Sequence, residues 1–165
     1  MIENPQSIIK EFIVEVRSRL RIEVSSDEIK QELWKAPHQA KDLPSGYGAV
    51  YVFTLAESSQ SKAPPNRALK VGKAGPNSNA RFNYQHYKSG SARSTLAGAI
   101  ENNPLLWGYI GFPGISVEVG EWIRNNTDRY NSYLPESRKE IIDLLEVYLK
   151  AILGPVFEGS LSSKA

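Results

Sequence analysis

The chain of 165 residues reads as an α/β (α+β) domain, a small mixed β-sheet flanked by helices, with a helical extension at its N-terminus. Three observations predict this class. Apolar residues recur at helical spacing at both ends, in SIIKEFIVEVRSRL and in IIDLLEVYLKAIL. Between them lie two β-branched and aromatic runs, GAVYVFTLA and RALKVGK, separated by a polar, proline-containing loop. Glycine and proline are spread through the connectors rather than gathered into a low-complexity tract.

At the N-terminus, Ile9, Phe12, Ile13, Val16 and Leu20 define one amphipathic face. Ser25 to Glu28 spells a capping box ahead of Ile29, Leu33 and Trp34, so a second helix is expected before residue 37. KAPHQAKDLPSGYG is a connector. Two strands follow, around Val50–Phe53 and around Ala68–Val71, and are expected to pair as a hairpin with a long connection. PNSNARFNYQHYKSG reads as a helix with cap-type residues at its start. Ser91 or Ser94 is placed to cap another over TLAGAIENN. PLLWGYIGFPGISVEV is apolar and broken by glycine, which suggests a strand or irregular core piece. VGEWIRNN suggests a helical turn or two, and DRYNSYLP a strand ending at Pro135. The last helix is announced by a second capping box, Ser137 to Glu140, and closed by Gly154-Pro155. The domain boundaries expected are 1–43 for the helical extension, 44–160 for the main domain and 161–165 for a loose tail.

Composition removes several chemistries. There is no cysteine, so disulfides, thiolate metal sites and cysteine nucleophiles are excluded. Two histidines, His38 and His86, are too few for a histidine-rich zinc site. No apolar run approaches the ~20 residues of a membrane span, and MIENPQSIIKEF lacks a signal-peptide pattern. A cytoplasmic protein without membrane partners is the expectation. GKAG lacks the upstream glycine spacing and following Ser/Thr of a phosphate-binding P-loop.

The net charge of +2 conceals an uneven distribution. From Ser58 to Ile100 there is no Asp or Glu, but seven basic residues: Lys62, Arg67, Lys70, Lys73, Arg81, Lys88 and Arg93. The rest of the chain carries 13 basic against 18 acidic side chains. A positive face on an acidic body is a footprint for a polyanion, with Lys88 and Arg93 as candidate nucleic-acid contacts. In the last helix, Glu146 stands at the seam between the apolar positions Ile142, Leu149 and Leu153 and the charged positions Lys139, Asp143 and Lys150. It is an edge residue or a site group held partly out of water.

Taken in order, these residues resemble the GIY-YIG nuclease family. Gly48-Ala49-Val50-Tyr51 is similar to the first half of the family motif, and Lys70-Val71-Gly72 to the second. Lys73 follows directly, Arg81 comes eight residues later, and Glu146 lies in a late helix with Pro155 nine residues on. The likeness spans roughly residues 46–159. Lys70 stands where the second tyrosine is usual, and Glu158 where the family keeps an asparagine.

The resemblance implies a metal-dependent endonuclease acting on DNA, restriction-like or stand-alone. Its implied catalytic group is Tyr51, Lys70, Lys73, Arg81, His86 and Glu146. Tyr51 is the general base or water-orienting phenol, and Glu146 the one carboxylate on Mg²⁺, for which Mn²⁺ can substitute. Magnesium suits a lone carboxylate because it keeps most of its waters. Lys73 and Arg81 would hold the scissile phosphate, and Gly72 would let the backbone turn close to it. Lys70 is expected beside Tyr51, lowering its pKa. His86 is an alternative base or phosphate contact. Cutting both strands calls for a homodimer or two successive nicks. The alternative reading is a catalytically weakened nucleic-acid-binding module on the same fold, favoured by Lys70 and Glu158. A third is an interaction protein that docks a partner through its N-terminal helices.

Overall fold

A computed structural model describes residues 3–157; Glu158 and the expected tail 161–165 lie outside the described residues. The described residues form an α+β fold, six helices around one four-stranded sheet. The helices are α1 (Pro5–Arg19), α2 (Asn79–Asn83), α3 (Leu96–Glu101), α4 (Trp107–Ile110), α5 (Val119–Asn126) and α6 (Lys139–Leu153). The strands are β1 (Lys30–Trp34), β2 (Tyr47–Leu55), β3 (Ala68–Ala74) and β4 (Thr127–Pro135), in the order β1-β4-β2-β3. Every pairing is antiparallel, so the sheet is not the mixed one expected.

Strand β2 is the centre of the molecule. It pairs with β3 on one side and β4 on the other, and every residue from Gly48 to Leu55 is buried. Its alternation sorts two cores. Tyr51, Phe53 and Leu55 join Phe82, Leu96, Ile100 and Trp122 on one face. Val50 and Val52 join α1 and α6 on the other, through Ile9, Phe12, Ile142 and Leu145. Helix α1 forms as its periodicity predicts, capped by the Asn4 side chain with Pro5 in its first turn. Its Phe12 meets Tyr148 of α6 with ring centroids 5.3 Å apart.

Four local expectations need correction. The capping box of Ser25 and Glu28 does form, but it closes a single 3₁₀ turn at Ser26–Glu28. The expected second helix is instead β1, whose register against β4 puts Trp34 opposite Arg129. Tertiary pairing overrides a weak local preference there. Helix α6 begins after a 3₁₀ turn at Glu136–Arg138 with no side-chain cap, so the Ser137 to Glu140 box is absent. Thr95, not Ser91 or Ser94, caps α3, accepting from the Gly98 N–H. The stretch after Gly75 is not one helix. It breaks at Tyr84 into α2 and a 3₁₀ turn at Gln85–Tyr87. Of the two alternatives for residues 104–119, a strand or an irregular piece, the structure has the irregular one, a 3₁₀ turn at Pro104–Leu106 and the short α4.

At the other end α6 stops as read, with Gly154 in the left-handed region at φ 51°. Pro155 is buried, and the Val156 and Phe157 N–H groups donate to the Ala68 and Leu69 carbonyls of β3. Among the described residues, no helix is long and apolar enough to cross a membrane.

Candidate active site

Tyr51 sits mid-strand, opposite Gly72 of β3 and Asn131 of β4. A Cβ at residue 72 would lie 2.7–2.8 Å from the Tyr51 ring and hydroxyl. Glycine there makes room for the phenol; β3 runs straight through it, and no turn toward a ligand is made. Gly48 has a parallel role. A Cβ there would meet Ile142 Cδ1 at 2.6 Å and the Ala74 carbonyl at 3.1 Å. Its absence seats α6 close to the sheet, one helical turn from Glu146.

The Tyr51 hydroxyl is 2.6 Å from His86 Nε2, and His86 Nδ1 accepts from the Leu96 N–H at 2.9 Å. A backbone N–H can only donate, so Nδ1 is bare and the proton is on Nε2. His86 therefore donates to the Tyr51 oxygen, leaving the Tyr51 O–H free to point elsewhere. A second pair has the opposite polarity. His38 Nδ1 lies 3.0 Å from the Thr127 carbonyl and must donate to it, so Nε2 accepts the Tyr87 O–H at 2.9 Å. Burial drives the His38 pKa down to about 4 and holds His86 well below the ordinary histidine range, so both rings are neutral near neutral pH. His86 is fully buried and contacts no solvent.

Arg129 of β4 lies beneath this arrangement. It is fully buried, its guanidinium carbon 4.4–4.9 Å from the ring centroids of Phe82, Tyr51, Trp34 and Phe53. Burial raises the Tyr51 pKa. Arg129 and Arg81 oppose that rise, and Glu146 adds to it. The expectation that Lys70 lowers Tyr51 is not met: Lys70 acts on His86, and burial outweighs the cations at Tyr51.

The remaining candidates divide: Arg81 and Glu146 act electrostatically on Tyr51 and Lys70 on His86, whereas Lys73 stands opposite Val50, on the α6 side of the sheet. Arg81, half-buried in α2, is steadied by a bond to the Ser94 carbonyl at 3.3 Å. Lys70 is 3% exposed, and burial lowers its pKa to about 8, helped by Lys150 and Arg81 and opposed by Glu146. Lys73 is exposed and donates to Asp143 Oδ1 of α6 at 2.7 Å. The acid-free stretch of sequence thus meets a carboxylate in space, contrary to expectation. Asp143 is shared with Lys139 at 3.0 Å, and those two lysines hold its pKa below the carboxylate norm. Glu146 is only loosely engaged, 3.6 Å from Lys150, with its side chain 14% exposed. Lys88 and Arg93 are exposed on the connector between His86 and α3.

Residues from β2, β3, α2, the 3₁₀ turn and α6 therefore share one electrostatic neighbourhood. An open groove of about 420 Å³ lined by Trp107, Phe112, Ile115 and Glu118 includes none of them. No family model, curated protein or solved structure matches the chain.

Two members of the group carried no site signal in the sequence. Arg129 lies in DRYNSYLP, which reads only as a strand ending at Pro135. Asp143 reads as an ordinary helix-surface acid until α6 is laid against β3. Among the described residues, no group of three or more His, Asp or Glu could hold a metal ion. The donor set for a cation is the single carboxylate of Glu146, free of any tight ion pair. That fits Mg²⁺, which takes one or two carboxylates and fills its other positions with water and phosphate oxygens.

Proposed function

We propose that the chain is a metal-dependent endonuclease hydrolysing DNA phosphodiester bonds, restriction-like or stand-alone, of the GIY-YIG type. What supports the reading is that the charges of a guanidinium and a carboxylate, Arg81 and Glu146, both act on the Tyr51 phenol, although the three come from elements far apart in the chain. A phosphodiester gains negative charge in its transition state, and cations fixed beforehand stabilise it. Arg81 would hold the phosphate through paired N–H groups. Lys73 would join it by leaving Asp143, an exposed pair of small worth. Tyr51, once ionised, would take a proton from the attacking water while the His86 Nε2–H steadies its oxygen. Glu146 would be the protein's ligand to Mg²⁺, which when bound supplies charge neutralisation at the leaving oxygen.

The second reading, a weakened nucleic-acid-binding module, is favoured by one observation. Tyr51 is 0% exposed, so a substrate must displace the side chains around it before the phenol is reached. Incubation with supercoiled plasmid in Mg²⁺ separates the two. Nicked or linear product that disappears with a chelator is expected of a nuclease. Salt-sensitive binding without cleavage of any DNA tested would favour the module.

A further inference from the structure

We propose that Arg129 is a positioning residue for Tyr51: a buried guanidinium, with no counter-ion among the described residues, that supplies the fixed positive charge against which this phenol gives up its proton. The inference rests on the hydrolytic reading of the site. Arg129 is the largest fully buried side chain among the described residues. It donates to the Phe82 carbonyl at 2.8 Å, the Tyr87 hydroxyl at 3.1 Å and Asn131 Oδ1 at 3.0 Å. Among the described residues its Nη2 has no hydrogen-bond partner, and all three acceptors are neutral. Neighbouring Asp128 is committed to Lys35 and the Ala36 N–H.

A guanidinium buried without a counter-ion is costly, so its setting calls for an explanation. Four rings cage it, and two neighbouring phenols could carry the complementary charge. Tyr87 is disqualified, because its proton is spent on His38 Nε2. Tyr51 is qualified: its oxygen accepts from His86, its proton is uncommitted, and its ring centroid is 4.5 Å from the Arg129 carbon. A cation over the face of a ring is drawn to it, and more strongly as the ring gains negative charge.

Arg129 from β4 and the His86 N–H from the 3₁₀ turn touch Tyr51; Arg81 from α2 lowers its pKa, and Glu146 from α6 acts on it through charge alone. Of the two cations, Arg81 stands where a phosphate would engage it. Arg129 is sealed in the core, so its charge stays available to Tyr51 through a catalytic cycle. The same charge disfavours protonation of His86 and so preserves the donor that holds the phenolic oxygen.

The test is Tyr51 ionisation in the full chain, with fluorotyrosine incorporated to bring titration into a range the fold survives and Tyr51→Phe assigning the signal. Arg129→Met should raise the Tyr51 midpoint by about one to two pH units, and Arg129→Lys should restore most of the wild-type value. Arg129→Gln, which keeps a donor for the Phe82 carbonyl, is the second neutral variant should the methionine disrupt folding. A Tyr51 midpoint unmoved in a folded neutral variant overturns the proposal, as does a lysine variant shifted as far as the neutral ones. No DNA is present, so a chain that cuts nothing would refute the nuclease reading and still leave this titration decisive. If the chain does cut, the acidic limb of its pH–rate profile should move with the titration.

Discussion

At residue scale the informative contrast is between two tyrosine–histidine pairs of opposite polarity. Tyr87 gives its proton to His38 and is a structural phenol; Tyr51 accepts from His86 and keeps its own. Tyr51→Phe should therefore abolish cleavage while costing only about 1–3 kcal/mol in a denaturant titration, the price of leaving the His86 Nε2–H without an acceptor. His38 predicts a pH dependence of folding. Its pKa falls from 6.5 to about 4 on burial, so the unfolded chain binds the extra proton between those values. Stability should be full above pH 6.5 and fall by roughly 3 kcal/mol as pH drops toward 4, with His38→Asn flattening the slope. Tyr51 was legible in the sequence because a strand aromatic preceded a basic glycine-containing strand. Arg129 was not, because nothing local tells an inward arginine from an outward one.

At the scale of elements, two glycines set how closely neighbouring pieces approach. Gly72→Ala would press a methyl into the Tyr51 ring, and should lower stability by about 1–3 kcal/mol and cut activity more than stability alone explains. Thermal unfolding beside a cleavage assay checks both. The approach of α6 to β3 also governs Lys73. Asp143→Ala should free it and raise DNA affinity in Ca²⁺ about two- to fivefold, because the exposed pair it breaks is weak. Helices α1 and α6 and strands β2, β3 and β4 could be read from periodicity. Strand β1 could not, since its pairing with β4 joins residues about a hundred positions apart in register. Nor could the break at Tyr84, which sets Arg81 on a helix and His86 on a separate turn.

For the molecule as a whole, the sheet is a platform with an apolar helical layer on one face and an aromatic core on the other, and the candidate site gathers at β2 and β3. If Lys73, Arg81, Lys88 and Arg93 meet phosphates, the log of DNA affinity should fall against log salt with a slope of roughly −3.6. A flat response would argue against a polyanion partner. The uneven charge was visible in the sequence, but the placement of Asp143 against Lys73 required the fold.

The most direct measurement compares wild type, Tyr51→Phe and Glu146→Ala on plasmid DNA in Mg²⁺ and Mn²⁺, with binding measured in Ca²⁺. Cleavage by the wild type alone, with binding kept in all three, is the predicted result. Cleavage that survives either substitution, or its absence in wild type, would contradict the assignment of Tyr51 and Glu146 as the chemical centre.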